Sequence, residues 1–532
     1  MTLYMGLLET QGNQAYIYAT NRERNARGAS ELLQAATTTW VLHAVGVCEE
    51  NESLTLSRRT EILRAQKTDV LDGGPGTYVV IATSGRAVLL SDSRDSLVDV
   101  ISKVTTRALK EAPGLIVVGA VVEASADTPI TEVQRRAAVR IGTNLSRLPA
   151  PSARTPQIPI VQRCALTNLP AETTYTSFDN RIAVSKMVAR QRDAASDSLT
   201  RLGEVLSMNS TGGTLADDVN NIPSRGSWRA VIHADGNRVG TIFMELDKYF
   251  WGNTGTYWEK LRRWALGYQC LSSSLELATE RAFASAASEV GAEKVFPILL
   301  GGDDITVETS ADIAWHFTLR YLESFEQETG KVLIDENLRV HLVPGATLPD
   351  NLSAAAGIAV VKAGFPFHSA YDLSEALLDS AKTAKNADGE GGPGRSAIDI
   401  HVLYDSLAHD LSEMRTESSN QARNRRMWGG PYVIGERTPH FSSVADLDAL
   451  CDAVSGKNKS RQVQVIAKAL ADSDAAADTA LKNARSVNPA LAVLNKDLAG
   501  LVKAGTPEQD GRTLLRDAIW RADVEQGAPR HD

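Results

Sequence analysis

The sequence predicts an α+β chain in which two β-α-β-β-α-β units are followed by a helical tail. Three observations carry this expectation. Short apolar runs and long helical periodicities follow one another in the order strand, helix, hairpin, helix, strand. That order occurs twice, at about residues 1–125 and again at about 226–410. From "SSVADLDALCDAV" onward the chain is rich in Ala, Leu and Asp and reads as helices.

The second copy is the clearer one. In "RAVIHADGNRVGTIF" (229–243) an apolar run, Ala230 to Ala234, ends at Asp235 and turns on Gly236, with a second extended run expected after it. Leu261, Trp264, Tyr268, Leu271, Leu275, Ala278 and Ala282 then recur at steps of three and four, one face of a long helix ending near Gly291. "FPILLGGDDITVETS" (296–310) reads as a hairpin whose turn holds two glycines and two aspartates. A helix capped by Ser310 and stopped near Gly330 follows, then the strand "SAAAGIAVVKA", the helix "DLSEALLDSAKTAK" and the strand "SAIDIHVLY". This is the split ferredoxin-like order. In it the first strand lies beside the hairpin, so Asp235 is expected to converge with Asp303 and Asp304.

The first copy supplies the comparison. Gln11-Gly12-Asn13 aligns with Asp235-Gly236-Asn237, and Ser84-Gly85-Arg86-Ala87 with Gly301-Gly302-Asp303-Asp304. On this alignment each acidic position of the second copy faces a neutral or basic residue in the first. The same hairpin therefore closes without aspartates, and two adjacent carboxylates repel unless a cation offsets them. Asp235, Gly236, Asp303 and Asp304 are the expected metal shell, Asp304 as ligand or proton-accepting neighbour, and an all-oxygen shell suits Mg²⁺ or Mn²⁺. Gly236, Asn237, Gly301 and Gly302 flank these carboxylates, and glycine there lets backbone approach a ligand closely.

Length and composition bound the rest. A chain of 532 residues, 43% hydrophobic and 23% charged, reads as several globular domains. The expected divisions are 1–125, a degenerate first unit; 126–225, a connector with helices; 226–410, the active unit; and 411–532, a C-terminal helical domain. The longest apolar stretch, "GLIVVGAVVEA", is about half a membrane span, and the first residues lack a secretory pattern, so a cytoplasmic protein with no membrane association is expected. Four widely spaced cysteines argue against a disulfide framework or a zinc ribbon. A net charge of −9 without a long basic stripe argues against extensive independent nucleic-acid binding. The loop "GEGGPGRS" (389–396) lacks the Walker pattern and reads as a linker.

Taken together, the degenerate first unit, "HADGNRVG", "LLGGDD", "AKTAK" and the helical tail resemble the large polymerase-like subunit of type III CRISPR effector complexes, the Cas-ten family, over most of the chain. The resemblance implies two palm (cyclase) domains and a metal-dependent nucleotidyltransferase that converts ATP into short, cyclic oligoadenylates as an antiviral defence signal. It implies two metal ions, Gly236, Asn237, Gly301 and Gly302 at the nucleotide, Lys382, ahead of Lys385, as a triphosphate contact, and as partners ATP and the subunits of a guide-RNA complex or another defence-system protein. A nucleotide-binding scaffold with little turnover and a dinucleotide cyclase are the alternative readings, and no residue assigns the base. "RNARGASELLQAA" resembles the family's first-palm helix entry. Relatives commonly hold zinc between the palms, but here Cys164 is followed by Thr167 where a second cysteine would stand, so zinc is not expected. A histidine-aspartate nuclease head is not expected either, since the first unit begins within a few residues of Met1 and His409-Asp410 and His531-Asp532 are isolated pairs.

Overall fold

The structure, a computed structural model, describes residues 2–49, 54–125, 128–149, 158–177, 180–207, 213–223, 227–387, 394–404, 410–417, 425–426, 428–455, 465–466, 468–469, 474–487 and 511–526. The Pro/Ser-rich crossing at 150–157, residues 388–393 of the glycine-rich loop, His409 and the His531-Asp532 pair lie outside them.

The first unit contains β1 (Leu3–Gln11), α1 (Asn13–Ile17), α2 (Glu23–Thr37), β2 (Thr77–Thr83), β3 (Arg86–Ser91), α3 (Arg94–Glu111) and β4 (Ile116–Ala124). Its strands form an antiparallel sheet in the order β2-β3-β1-β4, which is the split ferredoxin-like order. β1 reads as a nearly continuous apolar run because both its faces are covered. Leu3, Met5 and Leu7 join the core shared with the second unit, while Leu8 packs with Ala29, Leu33, Leu97 and Val100 from α2 and α3.

Beyond β4 come α4 (Ile130–Ser146), the hairpin β5 (Thr173–Ser177) and β6 (Asn180–Val184), and α5 (Lys186–Ser207), which packs along α2. That packing depends on Gly28: a Cβ there would overlap the carbonyl oxygen of Gln191 and lie 2.8 Å from the Ala195 nitrogen. Gln191 itself is buried and donates to the Tyr16 carbonyl at 3.1 Å. Gly28→Ala should therefore force two backbones apart and cost about 1–3 kcal/mol or more. Gly203, on α5, has open space where its Cβ would be, so Gly203→Ala should stabilise by up to about 1 kcal/mol. Urea unfolding midpoints measure both, and the two substitutions are expected to move the midpoint in opposite directions.

The second unit runs through β7 (Trp228–Gly236), α6 (Val239–Met244), α7 (Tyr257–Val290), β8 (Val295–Gly301), β9 (Asp304–Ser310), α8 (Ala314–Leu333), β10 (Ala354–Lys362), α9 (Phe367–Lys382) and β11 (Ala397–Val402). The order β8-β9-β7-β10 repeats that of the first sheet, and β11 is added parallel to β10. β12 (Tyr432–Val433) and β13 (Ser442–Ser443) complete a seven-stranded sheet. α7 starts on a capping box between Thr256 and Glu259 and stops at Gly291, which takes φ +95°.

Two local expectations are corrected. After Gly236 the chain does not continue extended: Arg238 takes φ +61°, Asn237 N–H leaves the ladder to bond the Ser353 carbonyl at 2.8 Å, and α6 begins. Ser310 is the last residue of β9 rather than a cap, and α8 starts at Ala314 without a side-chain cap. Gly330 is interior to α8, where it faces the Asp350 carbonyl at close range, and buried Leu333 carries the helix one further turn.

The described tail contains α10 (Val444–Val454), α11 (Asp474–Val487) and α12 (Leu515–Glu525). Leu447, Leu450, Leu481, Leu515 and Ala518 share one core with Trp315 and Tyr432, so these helices brace the second sheet instead of enclosing a core of their own. No described helix is long and apolar enough to cross a membrane.

Candidate functional site

β7 and β9 are antiparallel, with Ala234 opposite Ile305. The next step in that register brings Asp235 and Asp304 side by side. Gly301 pairs with Asp304, which leaves Gly302-Asp303 as the two-residue turn. Gly302 takes φ +67° at the first central position, a conformation that glycine supplies without steric cost. A Cβ on Gly236 would lie 2.6 Å from Val239 Cγ2 and 2.8 Å from Asp303 Oδ2, so the Asp303 carboxylate rests against the Gly236 backbone. The structure thus brings Asp235, Gly236, Asp303 and Asp304 together at one end of the sheet, where interior strands β7 and β9 terminate.

Each carboxylate has its own surroundings. Lys382, at the C-terminal end of α9, places its Nζ 2.5 Å from Asp235 Oδ2. His233 Nε2 lies 2.9 Å from Asp304 Oδ1. Asp303 has neither partner. Burial, followed by the neighbouring Asp235 and Asp304 charges, pushes its carboxyl well above the usual range. Burial and Asp304 also push Asp235 up, outweighing the ion pair with Lys382. Lys382 is in turn held above its ordinary value, because Asp235 more than offsets its own desolvation. Burial drives the Tyr321 hydroxyl up, and the three carboxylates add to the effect.

Asn237 is buried, and its amide donates to Ser353 Oγ at 3.0 Å and to the Arg395 carbonyl at 3.3 Å. It therefore holds the turn against the β10 entry through its amide nitrogen, while Oδ1 is buried without a hydrogen-bond partner among the described residues. Gly302 has open space where a Cβ would be. Gly301 instead meets the other unit, since its Cβ would lie 3.0 Å from Ser84 Cβ. The two hairpin tips therefore touch. Lys385 lies in the 3₁₀ turn that follows α9.

Among the described residues no three His, Cys, Asp or Glu side chains are already gathered into a cage that could hold a metal ion, these carboxylates included. The donor set nevertheless fits a divalent cation. Three carboxylates converge, two are raised by burial and mutual repulsion, and a divalent charge would relieve that repulsion. Lys382 meets only Oδ2 of Asp235, so Oδ1 remains for monodentate ligation, and only a mode that uses both oxygens needs Oδ2 to be released.

The geometry shifts the correspondence between the units. In the first, Thr83 pairs with Arg86 and leaves Ser84-Gly85 as the turn, so Gly85 stands at Asp303 and Arg86 at Asp304. Glu9 pairs with Arg86 and thus stands at Asp235. The left-handed residues that start the following helices, Gly12 and Arg238, agree with this register. Glu9 and Arg86 form an ion pair at 3.4 Å. The first unit is therefore not acid-free at this end: it keeps one carboxylate and neutralises it in place. Gln11 corresponds to Asn237.

Around Cys164, the Leu166 N–H approaches Sγ at 3.4 Å, and the Thr167 and Ser185 hydroxyls are 3.3 Å apart. Burial pushes the Cys164 thiol up, but hydrogen bonds from Thr167, Leu166 and Ser185 outweigh it and hold the thiol below its ordinary value. All four cysteines are free thiols.

Sequence reasoning missed His233, Tyr371, Tyr18 and Tyr321. His233 was legible in principle, because a residue two before Asp235 on a strand shares its face. Tyr371 and Lys382, eleven residues apart, repeat after about three helical turns. Nothing local marks Tyr18.

A ferredoxin-like sheet that presents carboxylates at the end of its first strand and at the adjoining hairpin is a palm-type domain. Residues 229–389 match the family model for the second palm domain of Cas10/Cmr2, and the chain is similar to the large polymerase-like subunits of type III CRISPR effector complexes. Among solved structures, the Csm1-Csm4 cassette in complex with cA4 aligns over 99% of this chain and 70% of its own, at 12% identity and a TM-score of 0.45. The same cassette with one ATP aligns over 99% and 70%, at 11% identity and a TM-score of 0.46. The apo type III-B Cmr-beta structure aligns over 99% and 82%, at 11% identity and a TM-score of 0.48. No curated protein matches the chain by sequence.

Proposed function

We propose that this chain is a palm-type, metal-dependent nucleotidyltransferase that converts ATP into short, cyclic oligoadenylates, acting in the cytoplasm as part of an antiviral defence system. The observation that supports it most directly is the convergence of Asp235, Asp303 and Asp304 at one end of the sheet of a Cas10/Cmr2 palm, with the hairpin tip of a second, similar sheet in contact with it. Two Mg²⁺ or Mn²⁺ ions held by these carboxylates and the Gly236 backbone would neutralise a triphosphate and activate an attacking hydroxyl. Lys382, beside Asp235 at the end of α9, would be the cation that meets triphosphate oxygens. The open space over Gly302 is room that a donor nucleotide would take, and the approach of Ser84 to Gly301 supports a reading in which the first unit holds the acceptor. Subunits of a guide-RNA complex, or another defence-system protein, are the proposed partners.

The Lys382–Asp235 ion pair gives weight to one other reading, a scaffold that binds nucleotide but turns over little, because it engages one oxygen of a carboxylate that the chemistry needs. Incubation with each labelled nucleoside triphosphate and Mg²⁺ or Mn²⁺ separates the readings. Oligomers from ATP support the synthase, cyclic dinucleotides indicate a dinucleotide cyclase, and binding without turnover indicates the scaffold.

A further inference from the structure

His233 is an unusual residue to bury in a sheet. It is 5% exposed, on the central strand of the second unit, where an aliphatic side chain would fill the space without a desolvation cost. Its only hydrogen-bond partner among the described residues is Asp304, through Nε2, while Nδ1 is buried without an acceptor. The ring stacks on Tyr371 of α9, with centroids 5.3 Å apart and planes 27° apart. Tyr371 in turn lies 3.9 Å from the ring of Tyr18, the residue that ends α1 in the first unit.

Tyr18 also reaches the hairpin strand directly. Its hydroxyl donates to Thr306 Oγ1 at 3.3 Å, and Thr306 is the β9 residue opposite His233 and two from Asp304. Gln14 of α1 donates to the Tyr371 hydroxyl at 3.4 Å and to Glu375 at 2.9 Å. A short segment of the first unit, Gln14 to Tyr18, thus touches both the ring that backs His233 and the strand that carries Asp304.

We propose that His233 is a positioning residue for Asp304, and that the Tyr18–Tyr371 stack ties this positioning to the packing of the first unit against the second. A carboxylate at a strand end can rotate, and the imidazole bond selects one rotamer. The imidazole plane is itself set by Tyr371, which cannot tilt while Tyr18 is against it. Movement of α1 away from α9 would free the ring and let Asp304 turn. A partner that changes how the two units pack would then act on the metal shell without touching it. The inference rests on the reading of Asp304 as a metal ligand given under Proposed function.

The test uses the full chain and Mn²⁺ alone, followed by electron paramagnetic resonance of the free ion, with kcat and KM for ATP measured separately. His233→Phe keeps an aromatic ring against Tyr371 but removes the bond to Asp304. It is expected to weaken Mn²⁺ binding by about 10- to 100-fold, the usual loss for a residue that orients a ligand, and to lower kcat with KM for ATP nearly unchanged. Tyr18→Leu, which touches no carboxylate, should weaken Mn²⁺ binding in the same direction by less. The double variant should be no worse than His233→Phe, because both act through one link. Wild-type Mn²⁺ affinity in Tyr18→Leu, or losses that multiply in the double variant, would overturn the proposal even if His233→Phe failed to fold. Should the wild type bind Mn²⁺ yet convert no triphosphate, the nucleotidyltransferase reading falls, while the same Mn²⁺ titrations still decide this one.

Discussion

Replacing Asp303 and Asp304 together with asparagine is expected to lower metal-dependent conversion of ATP by about 10³-fold or more, the scale on which removing preorganised charge from a reacting centre is felt. The fold should survive. Asp303 is pushed up by burial and by its two carboxylate neighbours, so its charge is a liability to the free protein. The turn at Gly302-Asp303 needs positive φ only at glycine. Asparagine at 304 can still face His233. The unfolding midpoint should therefore stay level or rise, as is common where function is placed at the expense of stability. Measured turnover near that of the wild type, or a loss of cooperative unfolding, would refute the assignment of these residues to chemistry.

Asp235→Asn should reduce turnover by about 10²-fold or more, since it removes one charge from the same shell and leaves β7 paired on both sides. The matching change in the first unit is Glu9→Gln, because the observed register sets Glu9 where Asp235 stands. Glu9 is neutralised by Arg86 at a half-exposed sheet end, and exposed pairs contribute little. Glu9→Gln should alter turnover by less than about threefold, within the small energy of such a pair. Comparable losses from Asp235→Asn and Glu9→Gln would mean that both units supply charge to one site, and the division between an active and a degenerate unit would have to be abandoned.

The contrast between these two positions shows where the sequence was readable. The repeated strand-hairpin order was legible from apolar periodicity, and the acidic hairpin stood out because its first-unit counterpart closes without acids. The detailed correspondence was not legible. Aligning Gln11 with Asp235 followed the shared Gly-Asn letters, whereas backbone pairing follows the hairpin turn and the left-handed residue after the strand, and both select Glu9. The strand correspondence moves by two residues, which keeps the face but changes the partner, and the hairpin correspondence moves by one, so matching letters cannot settle which side chain meets which.

By itself the sequence determined what depends on local spacing: two split β-α-β-β-α-β units, the long α7 with its glycine stop, and Asp235, Asp303 and Asp304 as the chemical candidates. Strand and helix periods are properties of neighbouring residues, and a glycine-aspartate turn declares itself within four positions. Only the tertiary structure decided that Lys382 meets Asp235, that Ser84 touches Gly301, and that Tyr18 reaches Tyr371 and so stands behind His233. Those contacts join residues up to several hundred positions apart, and their distances are set by how two sheets and their covering helices pack. Packing of that kind depends on the whole core at once, so no window of sequence contains it.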